Sequence, residues 1–258
     1  MSVETAHQLT LTEPDARGVA HLQFASGRPA NTMILPMLLE WLELTTALAA
    51  RDDVRVLLLQ GPAGTFSGGA DLSRIAEMDD ETWRTYIETE FALFAAIDQL
   101  PFITIGVLDG HCLGNGAELA LACDLRIASD RTKFGFPETR IGFQGPAQRL
   151  TRFVGIGTAK RLLYDGTVVS ADEAKSLGLI DWVVPADDLA GQADAVAAQF
   201  AELPPLAIRE TKRNLAEAYP MPPDANEIAS SLTTSVTEDA LEGRTAFFEK
   251  RRPVFRGR

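Results

Sequence analysis

Cysteine is scarce in this sequence, which contains two among 258 residues, Cys112 and Cys123. Their separation fits no metal-binding or redox motif, so the sequence argues against a disulfide scaffold. Both side chains are expected to be small buried apolar groups in a protein of the reducing cytoplasm.

Long apolar runs are also missing. Charged residues interrupt the most apolar stretches within a few turns, so none reaches the length needed to span a membrane. Residues 1–12 lack the basic-then-apolar pattern of a signal peptide. We therefore expect a cytoplasmic protein that has no membrane partner.

Basic residues are in the minority: 24 Lys and Arg stand against 36 Asp and Glu, which gives a net charge of −12. Such a chain is a poor non-specific ligand for nucleic acid, which requires clustered basic residues. It also repels anions over long range, so a site for an anionic ligand has to be locally basic. The length fits one large domain, or one domain with an appendage.

Strands and helices are expected to alternate through the first half of the chain. Apolar runs predict strands, and helical spacing in residues 36–50 offers Leu38, Leu39, Leu42 and Leu48 for one apolar face. In residues 81–99 the buried side is formed by Phe91, Phe94 and Ile97. This alternation is typical of βαβ units and a largely parallel sheet, followed after about residue 150 by a helical region. The predicted strands are 19–24, 54–60, 102–108 and 125–128, and the predicted helices are 36–50, 81–99, 116–123, 159–164, 171–177, 189–202, 207–218 and 238–250.

A first glycine-rich corner covers residues 61–72, with the sequence GPAGTFSGGADL. A strand ends there, the chain turns on small residues, and Ala70-Asp71 leads into a predicted helix. Small residues let a ligand carbonyl approach backbone N–H groups closely, and a turn into a helix presents such donors. Read alone, this segment is equally well a tight loop.

A second glycine-rich corner, GHCLGNGAEL at residues 110–119, follows the strand 102–108 and opens a short apolar helix. Asn115 stands where the first N–H groups of that helix have no partner within the helix. An oxyanion formed there gains from hydrogen bonds and from the helix dipole.

Glycine-rich corners also occur in two other classes of protein, dinucleotide-binding enzymes and serine hydrolases. Gly114-Asn115-Gly116 begins the dinucleotide-binding pattern G-x-G-x-x-G, but Leu119 occupies its last position. Ser67 does not lie in G-x-S-x-G, and the three histidines all precede residue 112, which is a poor arrangement for a serine hydrolase. The sequence therefore argues against a dehydrogenase and against a hydrolase triad.

Together the corners resemble those of the crotonase superfamily, also called the enoyl-CoA hydratase/isomerase superfamily. The resemblance spans nearly the whole chain in the expected order, which makes it far more specific than either corner alone. The matching segments are residues 66–72 (FSGGADL), 110–124 (GHCLGNGAELALACD), 134–138 (FGFPE), 148–150 (QRL) with Val154-Gly155, and 171–179.

The resemblance implies an α/β fold with a crotonase-like core of repeated ββα units and a C-terminal helical trimerisation region. We place the core, with an acyl-CoA site, at residues 1–200 and the trimerisation region at residues 201–258. It implies homotrimers, often paired into hexamers. It also implies that the backbone N–H groups of Ala70 and Asn115 form the oxyanion hole for a thioester enolate.

The resemblance further assigns an acid–base pair to Glu118 and Glu138, whose counterparts in hydratases of the family share a water that adds across a conjugated double bond. Two close carboxyls in a partly dry cleft cannot easily both ionise, which separates their roles. The most favoured reaction is hydration of an enoyl-CoA. If only Glu138 acts, isomerisation of a β,γ-enoyl thioester is expected instead. A hydrolase, a decarboxylase, a carbon–carbon lyase and a non-catalytic acyl-CoA- or RNA-binding relative remain alternatives.

The chain departs from the family pattern at two places. Asn115 replaces a glycine, which a backbone donor tolerates because Asn accepts unusual φ angles better than most residues. The loop 139–147 is shorter and poorer in glycine than in family hydratases, and its residues Arg140, Phe143 and Gln144 indicate a specialised acyl pocket.

The coenzyme A moiety of the substrate is the only cofactor expected, with no metal. For each basic residue expected to contact coenzyme A, the alternative is a solvated surface charge that binds no ligand. The expected contacts are Arg28, Ala30, Gly68, Ala70, Asp71, Leu72, Arg74 and Lys250, the last one reaching a neighbouring subunit's ligand.

Overall fold

A computed structural model describes residues 7–222 and 224–258, whose strands form two sheets. The larger sheet contains β1 (Gln8–Leu11), β2 (Val19–Ala25), β3 (Val56–Gln60), β5 (Ile103–Leu108), β7 (Leu125–Ser129) and β10 (Trp182–Val184), in the order β1-β2-β3-β5-β7-β10. The smaller contains β4 (Thr65–Ser67), β6 (His111–Leu113), β8 (Lys133–Gly135) and β9 (Val168–Ser170), in that order.

Ten α-helices connect or cover these strands in the described residues. They are α1 (Leu35–Leu48), α2 (Leu72–Ile75), α3 (Asp80–Asp98), α4 (Asn115–Ala122), α5 (Ala147–Asp165), α6 (Ala171–Ser176), α7 (Leu189–Ala201), α8 (Pro205–Ala218), α9 (Ala225–Ser235) and α10 (Glu238–Phe248). Short 3-10 turns lie at Pro29–Asn31, Glu138–Ile141 and Ala186–Asp188. No helix in this part of the chain combines the length and the apolar character required to cross a membrane.

From β3 to β8, consecutive strands alternate between the two sheets. The pairs β3–β4, β5–β6 and β7–β8 each place their first strand in the larger sheet and their second in the smaller one. Among the paired strands described, β1 with β2 and β8 with β9 are antiparallel, and the remaining pairs are parallel. The largely parallel sheet expected from the sequence is therefore confirmed.

The core lies on both faces of the larger sheet, because successive side chains of a strand point to opposite faces. Leu57 and Leu59 of β3 pack with α1, α3 and α4, whereas Val56 and Leu58 pack with the alanines of α7. Strands that are covered on both faces read as continuous apolar runs, as β3 does.

The structure corrects three expectations. Leu39 is 44% exposed, because Met37, Leu38 and Trp41 set the buried face of α1 and Leu39 points away from them. Helix α5 begins at Ala147 rather than at residue 159 and continues past a break at Gly155, where φ is 71°. Helix α9 was not predicted from the sequence: Ala225, Ile228 and Leu232 are spaced as on one helix face, but this short apolar stripe lies among Ser and Thr residues.

The C-terminal helix α10 packs on the segment that carries Glu138. A Cβ atom on Gly243 would lie 2.3 Å from the carbonyl oxygen of Ile141, and one on Gly142 would lie 2.8 Å from the Cα of Ala240. Glycine at both positions therefore permits contact between the two backbones. Helix α10 thus helps to hold Glu138 in place within its own chain.

Candidate active site

The two glycine-rich corners lie against each other. Strands β4 and β6 pair in parallel, with Thr65 opposite His111 and Ser67 opposite Cys112. Both corners therefore leave the same edge of the smaller sheet. A Cβ on Gly69 would lie 2.8 Å from the Leu113 oxygen and 3.2 Å from the Asn115 nitrogen, so this close approach requires glycine.

The backbone N–H groups of Ala70 and Asn115 have no acceptor within the described residues. Ala70 is held by a bridge to Met33, in which Met33 N donates to Gly69 O at 2.8 Å and Asp71 N donates to Met33 O at 3.2 Å. Asn115 is the first residue of α4 and follows Gly114, whose φ is 55°. Two donors on adjoining corners, one of them at a helix N-terminus, are suited to bind an oxyanion.

Glu118 lies one turn into α4 and is 6% exposed. Burial raises the pKa of its carboxyl to about 7, and the opposing effect of the nearby Arg149 charge is smaller. The Arg149 Nε atom lies 3.6 Å from Glu118 Oε1, and both side chains are buried. Glu118 is therefore a carboxyl that can exchange a proton near neutral pH, with a cation beside it that stabilises its ionised form.

Glu138 opens the 3-10 turn after β8 and is half-buried as a residue, but both of its carboxyl oxygens are buried and accept no hydrogen bond from the described part of the protein. Burial raises the pKa of this carboxyl to about 8, and the charge of Glu118 adds to the increase. A Cβ on Gly114 would lie 3.3 Å from Glu138 Oε1, which places this carboxyl beside the residue that precedes Asn115.

A third carboxyl, Glu90 on α3, was not predicted from the sequence as part of the site. It is 2% exposed, and its Oε1 accepts a hydrogen bond from the Asn115 side-chain amide. Burial raises its pKa well above the ordinary range, and the charge of Glu118 adds to the increase. One sequence signal could have found it: Glu90 lies four residues before Phe94, so helical spacing places both on the buried face of α3.

The loop after Glu138 is tied to the C-terminal helices. Phe143 packs edge-to-face on Trp83, with 6.2 Å between ring centroids, and the Arg244 guanidinium lies 5.4 Å from the Phe143 ring. Gln144 Nε2 donates to Ser231 Oγ at 3.1 Å. Arg140 is exposed, and its Nε donates to the Asp165 carbonyl. Phe143 and Gln144 thus belong to the packing beside Glu138, whereas Arg140 lies at the surface.

Most residues predicted to contact coenzyme A lie together beside Ala70. Gly68 N donates to Ala30 O at 2.7 Å, and Arg28 Nε donates to Asp71 Oδ2 at 2.8 Å. Asp71 also caps α2, which begins at Leu72 and contains Arg74. Arg74 lies 3.4 Å from the Glu77 carboxylate. Lys250 lies on a different element, the exposed turn after α10.

The alternation of strands between two sheets and the paired corners define a crotonase-fold protein. The chain belongs to the enoyl-CoA hydratase/isomerase family, whose model matches residues 15–258. The predicted family and fold are thereby confirmed.

Named relatives align with nearly the whole chain. An enoyl-CoA isomerase/hydratase of Mycosarcoma maydis is 32% identical over 98% of this chain and 100% of its own length. A 2,3-dehydroadipyl-CoA hydratase of Escherichia coli is 33% identical over 97% of this chain and 94% of its own length. The crystal structure of an enoyl-CoA hydratase from Bacillus anthracis superposes with a TM-score of 0.78 at 32% identity, covering 97% of this chain and 99% of that one.

Proposed function

We propose that this protein hydrates the α,β double bond of an enoyl-CoA thioester. The observation that carries the proposal is the pair of buried carboxyls, Glu118 and Glu138, on the two segments that adjoin Asn115. A hydratase needs a base for water and an acid for the α-carbon, and raised pKa values near neutrality suit both tasks. The naming of several relatives as hydratases supports the same reaction.

The substrate carbonyl accepts hydrogen bonds from the N–H groups of Ala70 and Asn115. When water adds at the β-carbon, negative charge moves to this oxygen and a thioester enolate forms. The two donors are already in place, so they stabilise this charge without reorganising, and the N-terminus of α4 adds a favourable dipole.

The environments of the two carboxyls assign their roles. Glu118 has Arg149 beside it, which favours the carboxylate, so Glu118 takes a proton from water as the new C–O bond forms. Glu138 accepts no hydrogen bond among the described residues and has the higher pKa, so its neutral acid gives a proton to the α-carbon. The proton on Glu118 then returns to Glu138 through water, which restores both groups.

The coenzyme A moiety is proposed to lie along the group formed by Arg28, Ala30, Gly68 and Arg74, with Asp71 and Leu72 shaping the turn beneath it. No other cofactor and no metal enter this mechanism. Local basic side chains would offset the net charge of −12, which repels phosphates at long range. A cytoplasmic location stays a prediction.

We also propose that the chain forms trimers or hexamers through residues 201–258. Helix α8 has no buried residue in the isolated chain, and its Leu206 and Leu215 are more than half exposed. Phe247 and Phe248, near the end of α10, are similarly exposed. Exposed apolar surface of this extent supports assembly of several chains. Light scattering would measure the number of chains in the assembly. In such an assembly we propose that Lys250 reaches the ligand of a neighbouring subunit.

The experiment is a spectrophotometric assay over a panel of short, branched and aromatic enoyl-CoAs. Hydration destroys the conjugation and therefore the ultraviolet absorbance of the substrate. Replacing Glu118 or Glu138 by Gln keeps the shape of each side chain and removes its acid–base chemistry. We expect each change to lower kcat by roughly 10²- to 10⁴-fold, and no hydration of any substrate in the panel would reject the proposal.

Isomerisation is the second candidate, and the different surroundings of the two carboxyls favour it over the others. Glu118 is engaged by Arg149, whereas Glu138 has no such partner among the described residues and could move a proton alone. Two relatives are named for both reactions. Product analysis with a β,γ-enoyl-CoA decides: full activity in Glu118→Gln with loss in Glu138→Gln would support an isomerase.

A further inference from the structure

Glu90 has no part in the proton transfers proposed above, yet its carboxyl is buried beside the oxyanion donors. Its Oε1 accepts a hydrogen bond from the side chain of Asn115, the residue whose backbone supplies one donor. The amide of Asn115 supplies the donor, so this contact depends on the side chain at position 115.

The same carboxyl oxygen connects to the other donor through Tyr86, one turn earlier on α3. The Tyr86 hydroxyl lies 3.4 Å from Glu90 Oε1 and 3.5 Å from the Met33 carbonyl. Met33 is the residue bridged to Ala70. A continuous set of contacts on α3 therefore runs from the second oxyanion donor to the backbone that holds the first.

We propose that Glu90 is a positioning residue, which together with Tyr86 fixes the N–H groups of Ala70 and Asn115 relative to each other. This inference rests on the proposed function, because it concerns the enolate that the oxyanion hole stabilises. Displacement of such a donor by as little as 1 Å can lower the rate about 10²-fold. Burial raises the pKa of the Glu90 carboxyl well above its ordinary range, which favours the neutral form of this group beside the enolate.

The role predicts how Glu90 can be replaced. Gln also offers an Oε1 acceptor, so Glu90→Gln keeps the hydrogen bond from Asn115 and should behave nearly as the wild type. Leu has a similar volume but no acceptor, so Glu90→Leu should lower the rate of enolate formation by about 10- to 100-fold with little change in KM. Glu88→Leu is the matched control, because Glu88 lies on the same helix and pairs at the surface with Arg84.

The measurement is the rate at which the α-proton of a saturated acyl-CoA exchanges with deuterium from the solvent. This rate reports the enolate alone, whether hydration or isomerisation follows it. Thermal unfolding of each variant checks that it folds. The same variants are tested for binding of acetoacetyl-CoA, whose stable enolate requires the two donors but no turnover.

A double substitution isolates the contact. Without the Asn115 side chain Glu90 keeps only its contact with Tyr86, so Glu90→Leu should slow exchange much less in the Asn115→Gly background than in the wild type. An equal loss in both backgrounds, or a Glu90→Gln variant as slow as Glu90→Leu, would overturn the inference. Exchange without hydration in the wild type would reject the hydratase and leave this test intact, whereas neither exchange nor binding would overturn both.

Discussion

Arg149 and Glu118 are both buried, with 3.6 Å between the Arg149 Nε atom and Glu118 Oε1. A buried carboxyl without a cation would stay neutral to a higher pH, because charge is costly in a dry environment. The Arg149 charge opposes this effect and brings the pKa of Glu118 to about 7. Arg149 thereby makes Glu118 available as a base at neutral pH.

The first prediction concerns the pH dependence of catalysis. We expect the wild-type kcat/KM profile to be bell-shaped, with its two limbs near the apparent pKa values of the carboxyl pair, about 7 and about 8. Replacing Arg149 by Met removes the charge that favours ionised Glu118. The acidic limb should then move to higher pH, and the maximum should fall.

Arg152→Met is the control for this change. Arg149 and Arg152 both approach Asp98, at 3.5 and 3.7 Å, but of the two only Arg149 contacts Glu118. The control should therefore leave the acidic limb in place. An unchanged limb in Arg149→Met would show that the cation does not set the protonation of Glu118.

The second prediction concerns stability against pH. The pKa of the Glu138 carboxyl is about 8 in the folded chain, whereas the ordinary glutamate value of 4.5 applies to the unfolded chain. The unfolded chain therefore loses this proton first as the pH rises. Its contribution to stability is complete below about pH 4.5 and is lost as the pH rises through about 8.

Glu138→Gln cannot ionise and avoids this loss. We expect the variant to match the wild type near about pH 4 and to exceed it by on the order of 1–3 kcal/mol near about pH 9. Urea unfolding at a series of pH values measures the difference. A gap that stays constant across the series would mean that Glu138 is not held neutral by burial.

The third prediction concerns the contact between the two corners. Gly69 has φ of 91°, and a Cβ there would meet the Leu113 oxygen at 2.8 Å. Gly69→Ala should separate the Ala70 and Asn115 donors and lower kcat by roughly 10²-fold or more, as does removal of an oxyanion donor.

Gly178→Ala separates this steric effect from backbone strain. Gly178 has φ of 79°, but a Cβ there would have no neighbour within 4 Å. Both variants should lose stability through their backbone angle, and only Gly69→Ala should lose enolate chemistry. Equal kinetic losses would contradict the assigned role of the corners.

The sequence predicted the long elements because their apolar periods are strong. Helix α3 and its buried Phe91, Phe94 and Ile97 appear as expected, and so does the parallel arrangement of β3 and β5. The smaller sheet was not predicted, since strands of three residues such as β4 and β6 are too short to display a period. Its pairing is nevertheless what brings the two corners together.

The sequence predicted the site residues that lie in recognisable motifs. It did not predict the residue that reaches the site only through a tertiary contact. Ala70, Asn115, Glu118 and Glu138 lie in motifs, and the structure places them around the joined corners, although their roles stay predictions. Glu90 lies 25 residues before Asn115 on another helix, so its contact with that side chain arises only when α3 packs on α4.

The most direct test of the central claim is hydration of an enoyl-CoA in water labelled with oxygen-18. Wild-type protein should remove the ultraviolet absorbance and place one labelled oxygen on the β-carbon of the product, and Glu118→Gln should do so roughly 10²- to 10⁴-fold more slowly. Absorbance that persists with every enoyl-CoA tried, or a Glu118→Gln variant as fast as the wild type, would contradict the account.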